Sequence, residues 1–369
     1  MKHTRSIYLP ALLVSLITVS GCSQWRVSEL AQSKMMTVKN GSDTGKVSIN
    51  FTEDDYPDIS FTVNVGEDRV FVADNRLKRL QIFDKGGSLK GVIAAKKADT
   101  SVSSVFNFGI IGDIDNDSEG HIYVQNRIES APAKAAPVQA QNQSQSADSA
   151  DKTESGVNPS FILVFDSSAK LQYTMGQRGS ADTPFYRVET VSVDSEDRLF
   201  VICKGIDTWS VYRFKNKNRD FFTSFGKDTF GTEKEGNNTY SAVIENVVPF
   251  HHGNSFIISI AYYSNTRFKY RKILEYSIPE NRVSRTLAQV PDPRNELFSI
   301  MDDKYLLLWD TEEKNLKFAI WDLDGNVVNH HRIKFDKEKS YYTRVFTDHS
   351  GKIYSYSVRK NGIDVSEWK

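Results

Sequence analysis

The stretch from Arg69 to Val92, RVFVADNRLKRLQIFDKGGSLKGV, decides how the rest of the chain is read. It divides into an apolar run (Arg69-Val-Phe-Val-Ala), a polar bend (Asp74 to Arg79), a second run (Leu80-Gln-Ile-Phe), a tight turn at Asp84-Lys-Gly-Gly and a third run from Ser88 to Ile93. Alternating apolar residues broken by Gly-rich punctuation is the pattern of a half-buried antiparallel meander. Three strands cannot bury their apolar faces alone, so the unit calls for neighbours of its own kind.

Imperfect copies follow. The first covers Asp58 to Ile93, the second begins near Phe108 and ends at Met175, and the third is Val188 to Gly226. Copies four to six run from Val243 to Leu287, Glu296 to Ile333 and Thr343 to Trp368. Leu199, Phe256, Tyr305 and Ile353 each follow a turn and open a second strand, and they recur at intervals of 57, 49 and 48 residues. The interval from Ile122 to Leu199 is 77, and it contains residues 129–159, rich in Ala, Gln, Ser and Pro. That segment has too little apolar surface to offset its ordering entropy and is expected to be a disordered insertion.

Repeats of this length fit four-stranded blades, so the expected fold is all-β: a six-bladed β-propeller. The sixth copy stops at Trp368 without a fourth strand. The isolated alternation Lys46-Val-Ser-Ile-Asn-Phe51 is expected to supply it, so that an N-terminal strand joins the C-terminal blade and leaves no open sheet edge. The copies resemble NHL-type repeats, in which a strand ending Ile-Tyr-Val-Ala-Asp is followed by a basic and Asn-containing bend and a strand ending Val-Phe-Asp. Phe71-Val-Ala-Asp-Asn75 with Gln81-Ile-Phe-Asp84, and His121-Ile-Tyr-Val-Gln-Asn126 with Leu163-Val-Phe-Asp166, carry the resemblance. Copies four and five depart from it, with Tyr262-Tyr and Leu308-Trp in place of Ala-Asp. The resemblance implies a six-bladed propeller and no activity by itself.

Ahead of the repeats, a basic start (Lys2, Arg5) and the apolar run Ile7 to Val19 have the layout of a secretory signal. The run ends in Val19-Ser20-Gly21-Cys22, which resembles the bacterial lipobox. The resemblance implies cleavage before Cys22 and lipidation of its thiol, and hence a protein held in the cell envelope at the outer membrane or a periplasmic face. The expected organisation is a signal peptide at 1–21, a lipidated tether at 22–45 with a short amphipathic helix near Trp25 to Met36, and a propeller domain at 46–369.

Lys+Arg and Asp+Glu both number 47, so the chain lacks the basic excess with which nucleic-acid binders neutralise phosphate. Of the two cysteines, Cys203 follows an apolar run and reads as a small core residue. Asp113-Ile-Asp-Asn-Asp117-Ser-Glu-Gly120 has the alternating carboxylates of a calcium loop, but Ser118 and Val124 stand where that loop needs Gly and Glu, and the Asp-Ser-Glu turn recurs at Asp194. It reads as a blade turn. The pairs His251-His252 and His330-His331 place neighbouring side chains on opposite faces and make no metal clamp.

Aligning the copies puts Ser60, Gly112, Glu189, Asn246, Asn295 and Thr343 on the innermost strands, with Asp113, Glu296 and Arg344 next along. Glu189, Asn246, Asn295, Asp113 and Arg344 are therefore the candidates for binding in a central channel. The first three are similar in type to the acid-and-amide calcium site of six-bladed lactonases, which implies Ca2+ and a metal-dependent hydrolase as an alternative. Tyr240, Tyr262, Tyr263, Tyr341 and Tyr342 are candidates for an aromatic rim. No Ser-centred elbow, phosphate loop, paired Cys motif or metalloprotease helix is present. The leading expectation is a non-enzymatic lipoprotein without a cofactor or catalytic residues, whose propeller binds or scaffolds a protein or an envelope polymer.

Overall fold

The computed structural model describes residues 27–54, 56–97, 100–128, 160–176, 185, 187–226, 228–235, 238–310, 316–335 and 340–369. The expected insertion at 129–159 and the leader with Cys22 lie outside them. Six sheets of four or five strands form the blades of a β-propeller. Their innermost strands are Phe61–Val65, Ile110–Asn116, Val188–Val193, Asn238–Pro249, Asn295–Met301 and Tyr342–Thr347.

Period-2 alternation explains why the blades form a ring. Along Arg69–Asp74, Val70 and Val72 face a cluster shared with Tyr354, Tyr356 and Val365 of the sixth blade, while Phe71 and Ala73 face one shared with Ile111 and Leu163 of the second. Each blade thus has two apolar faces. One cluster fills each of the six seams between neighbours, including the seam that joins the last blade to the first.

The ring is closed from the N-terminal side, but by a different strand from the one expected. Gln32–Asn40 pairs antiparallel with Gly362–Trp368, from Gln32 opposite Trp368 to Lys39 opposite Gly362. The region read as a tether with a possible helix is therefore extended. Met36 and Val38 are buried in the closing seam, and the propeller begins by Val27. Val27–Glu29 pairs parallel with His330 to Arg332 on the outermost strand of the fifth blade.

Of Lys46 to Phe51, only Lys46–Val47 joins the sixth blade, as a short parallel fifth strand beside Lys39 and Asn40, and the segment runs on as the connector to blade one. Val47 and Ile49 are buried, which accounts for their alternation. The backbone is held by side chains of blade one: Arg79 donates to the carbonyls of Ser42 and Lys46, Gln81 donates to Lys46 O, and Asp74 accepts Ser48 N–H at 2.9 Å. Asp74, Arg79 and Gln81 are themselves buried.

Polar positions of the repeats act as stitches. Asn75 clasps both the N–H (2.7 Å) and the carbonyl (3.0 Å) of Ile111 in the next blade. Gln125 accepts Asp113 N–H and donates to Val188 O of blade three. The aspartates that end third strands, Asp84, Asp166 and Asp322, accept backbone N–H groups of the turns that follow, as expected for an Asx-type turn. Asp117, Asp194 and Asp348 do the same after the first strand.

Candidate functional site: the channel and its two mouths

Innermost strands have a free edge facing the axis, and their N–H groups need acceptors. The run Asp113-Ile-Asp supplies two of them. Asp113 accepts Val191 N–H and Asp115 accepts Val193 N–H, each at 2.8 Å, so the alternating carboxylates join blade two to blade three. Asp117 caps its own turn through His121 N–H and Tyr123 O–H. The carboxylates that imitate a calcium loop are thus committed to separate backbone partners.

A cavity of about 190 Å3 occupies the middle of the channel, lined by Asn64, Asp113, Asp115, Ser192, Asn246 and Thr347 among others. Asn64 donates to Asp113 at 2.6 Å, while its own Oδ1 is buried without a partner. Burial, aided by the neighbouring Asp115 charge and opposed by hydrogen bonds from Val191 and Asn64, pushes Asp113 up to about 6. Of these residues, the sequence reading finds Asp113 and Asn246. It passes over Asn64, Asp115, Ser192 and Thr347, although Asn64 and Ser192 each interrupt a pair of buried valines in an innermost strand.

We term the face carrying the turns between first and second strands the lower face. Its mouth, about 200 Å3, is lined by Glu67, Asp117, Asp194, His251 and His349. The rings of His251 and His349 stack at 4.7 Å, and His349 Nδ1 lies 3.4 Å from Asp115. Burial opposes the His349 imidazolium, but the hydrogen bond and charge of Asp115, with Asp348, outweigh it and raise its pKa. Burial and the adjacent His349 hold His251 low. Asp303, at φ 54°, accepts the N–H groups of both His251 and His252 and locks blade five to blade four. His252 stacks on Phe250, so this histidine pair is divided between two environments.

The upper mouth is wider. A cleft of about 510 Å3 is lined by Glu296, Phe298, Trp309, Leu316, Tyr342 and Arg344, and Asn246 borders it on the channel side. Trp309 lies flat on Phe298, with centroids 4.9 Å apart and an interplanar angle of 13°. Burial raises the pKa of Glu296, helped by the Glu245 carboxylate and opposed by Arg271 and a hydrogen bond with Trp309. Arg344, a predicted site residue, thus faces the cleft together with aromatic and acidic groups.

The three residues of the predicted calcium trio, Glu189, Asn246 and Asn295, each meet different partners. Glu189 pairs with Arg187 at 2.9 Å. Asn246 spends its amide on Leu297 O and Val247 N–H, and Asn295 offers its backbone carbonyl to the buried guanidinium of Arg271, which Glu245 also binds. Strand twist and bulges turn positions that match in sequence to different directions; a bulge at residues 244–246 separates Asn246 from the register of its neighbours. Among the described residues, no three His, Cys, Asp or Glu side chains are grouped as a metal site would need. Of the predicted rim, Tyr240 and Tyr262 are core residues, whereas Tyr341 and Tyr342 are exposed. Cys203 is buried, and burial pushes its thiol up to about 12.

No protein-family model matches the chain, and no curated protein matches it in sequence. Among solved structures it is similar to a luciferin-regenerating enzyme, at 11% identity and TM-score 0.41, over 92% of this chain and 95% of that one. It is also similar to the Dos1 propeller, at 9% identity and TM-score 0.35, over 90% and 82%. A third is a protein of unknown function from Bacteroides caccae, at 12% identity and TM-score 0.37, over 75% and 84%. Likenesses this distant carry nothing about activity; the class, a six-bladed β-propeller, rests on the sheets and seams described above.

Proposed function

We propose that this protein is a lipid-anchored, non-enzymatic binding module of a bacterial envelope, and that its upper cleft receives a segment of a protein or an envelope polymer. The observation that carries the reading is the cleft itself. It offers an aromatic pair with a fixed orientation, an accessible tyrosine and charges of both signs, all held on strands of a closed ring. Preorganised aromatic and arginine side chains are the groups that anchor binding surfaces, because they bury large areas at little entropic cost. The anchor reading is supported by the apolar leader and by Val19-Ser20-Gly21-Cys22 directly after it.

Two experiments test the two halves. Cys22→Ser is expected to abolish fatty-acid labelling and to release the protein from membranes; labelling that survives the substitution removes the anchor. The released Cys22→Ser protein is then used as bait against envelope extracts and isolated envelope polysaccharide. Trp309→Ala and Tyr342→Ala are expected to weaken capture by tenfold or more, about 1.4–3 kcal/mol, with the circular dichroism spectrum unchanged. Undiminished capture by both variants rules out the cleft.

A further inference from the structure

We infer that the upper face carries one continuous groove for an acidic polysaccharide, with sugar rings lying against Trp309 and a ligand carboxylate meeting Arg344. The inference rests on the binding role proposed for the upper cleft and names the chemistry of its ligand. A second cleft, of about 350 Å3, adjoins the first and is lined by Lys204, Val243, Glu245, Ser259 and Glu296 among others. Asn246, Glu296 and Leu297 border both, so the two clefts run together across the innermost strands of blades four and five. The joined groove reaches from Lys204 of blade three to Tyr342 and Arg344 of blade six, a course that suits a chain-like ligand.

Charge selects an anionic occupant. Cations stand at both ends of the groove. The Lys204 ammonium lies 4.7 Å over the Trp209 ring, and exposed Arg344 donates a hydrogen bond to the hydroxyl of buried Tyr356, which orients its guanidinium. Between them, both oxygens of Glu245 are taken by Arg271. Glu296 is the other carboxylate of the lining, and burial, with the Glu245 charge, disfavours its ionised form. A ligand carboxylate can then meet the Arg344 fork through two parallel hydrogen bonds. Backbone chemistry selects a sugar over a peptide. An extended peptide that adds a strand needs unpaired backbone groups to bond with. On the groove floor, Asn246 holds Leu297 O and Val247 N–H, Arg271 holds Asn295 O, and Glu296 N–H donates to Arg294 O. Side chains are what the floor leaves for a ligand. Phe298 covers one face of Trp309, whose other side belongs to the cleft, and Tyr342 lines the same cleft from blade six. A pyranose ring presents a flat C–H face to such a surface, and hydroxyls at its edge to carboxylate and guanidinium groups.

The test uses the full-length Cys22→Ser protein and three defined probes: polygalacturonate oligomers, the same oligomers methyl-esterified, and poly-glutamate of matched charge. Isothermal titration is expected to show the acidic oligomers binding about tenfold more tightly than either their esters or poly-glutamate. Arg344→Gln is expected to erase the preference for acid over ester, and Trp309→Ala to weaken both sugars by about tenfold, each with the parent circular dichroism spectrum. Tyr342→Ala, at an exposed position, reads the stacking contribution independently of any change in packing around Trp309. Equal binding of acid and ester overturns the inference, as does a preference that survives Arg344→Gln. Poly-glutamate binding as tightly as the sugar also overturns it and points to an acidic peptide. Binding of none of the probes overturns the choice of ligand alone, because capture from envelope material by the same Trp309 and Tyr342 variants reports separately on the cleft.

Discussion

Asp113 shows how one side chain can be central to the architecture while carrying a cost. Its carboxylate satisfies Val191 N–H across a blade seam, yet burial holds its folded value near 6, above the ordinary 3.8. Between those values the folded chain binds more protons than the unfolded one, so this residue's contribution to stability falls as pH rises through 6. Asp113→Asn keeps an acceptor for Val191, and its amide can donate to the unpartnered Asn64 Oδ1 once that amide rotates. The variant is expected to unfold at higher urea than the parent at pH 8, with the gain shrinking steadily toward pH 4; a gain independent of pH would contradict the assignment. Arg79 is the opposite case. Its guanidinium is buried, pairs with Asp74 at 3.5 Å and holds two carbonyls of the connector. Arg79→Ala leaves those acceptors and a buried carboxylate uncompensated, and is expected to cost about 3–5 kcal/mol in denaturant unfolding.

At the level of strands, the closing element has the most to lose. A chain starting at Lys46 retains the connector but lacks Gln32–Asn40, and so exposes the edge formed by Gly362–Trp368 and the apolar groups that Met36 and Val38 cover. Compared with a chain starting at Val27, it is expected to lose cooperative unfolding and to exchange amide hydrogens rapidly across Gly362–Trp368. Equal protection in both would mean that the ring tolerates an open seam. The same element marks where sequence reading reached its limit. The blades were legible because their turns punctuate alternation at near-regular intervals, and the first to third strands of each carry strong apolar patterns. Gln32–Asn40 is cut off from its blade by more than three hundred residues, lacks a flanking hairpin turn and is exposed along most of its length, so its pattern is weak. Lys46 to Phe51 carries the stronger alternation because its apolar side chains plug a seam, although only Lys46–Val47 and Asn50–Phe51 are extended into short pairings. The channel was less legible than the fold for a related reason. Which face an innermost residue presents depends on bulges, as between Ile111 and Ile114, that sequence spacing cannot register.

Over the whole molecule, six seams distribute the core so that every blade depends on two neighbours. The polar stitches on the lower face add direct bonds between consecutive turns: Ser118 to Asp197, Ser195 to His251, His251 and His252 to Asp303, and Asp302 to Ser350. A binding surface built on such a frame changes little when its ligand arrives, which favours affinity through preorganisation. Isothermal titration with the captured partner should therefore give a heat-capacity change in proportion to the cleft area alone, whereas a much larger value would indicate that segments fold on binding.

The clasp between Gln32 and the C-terminal strand spans 334 residues from Gln32 to its hydrogen-bond partner Ser366. Gln32–Asn40 consequently waits for a partner made far later in the chain, and five blades can stack before the wheel is fastened. Until Trp368 has emerged, newly made molecules carry a bare sheet margin and a solitary matching strand, a combination that two molecules could exchange. Closure of the ring thus waits on the strand Gly362–Trp368, and a chain clipped within it would be left unlatched however well the remainder had formed.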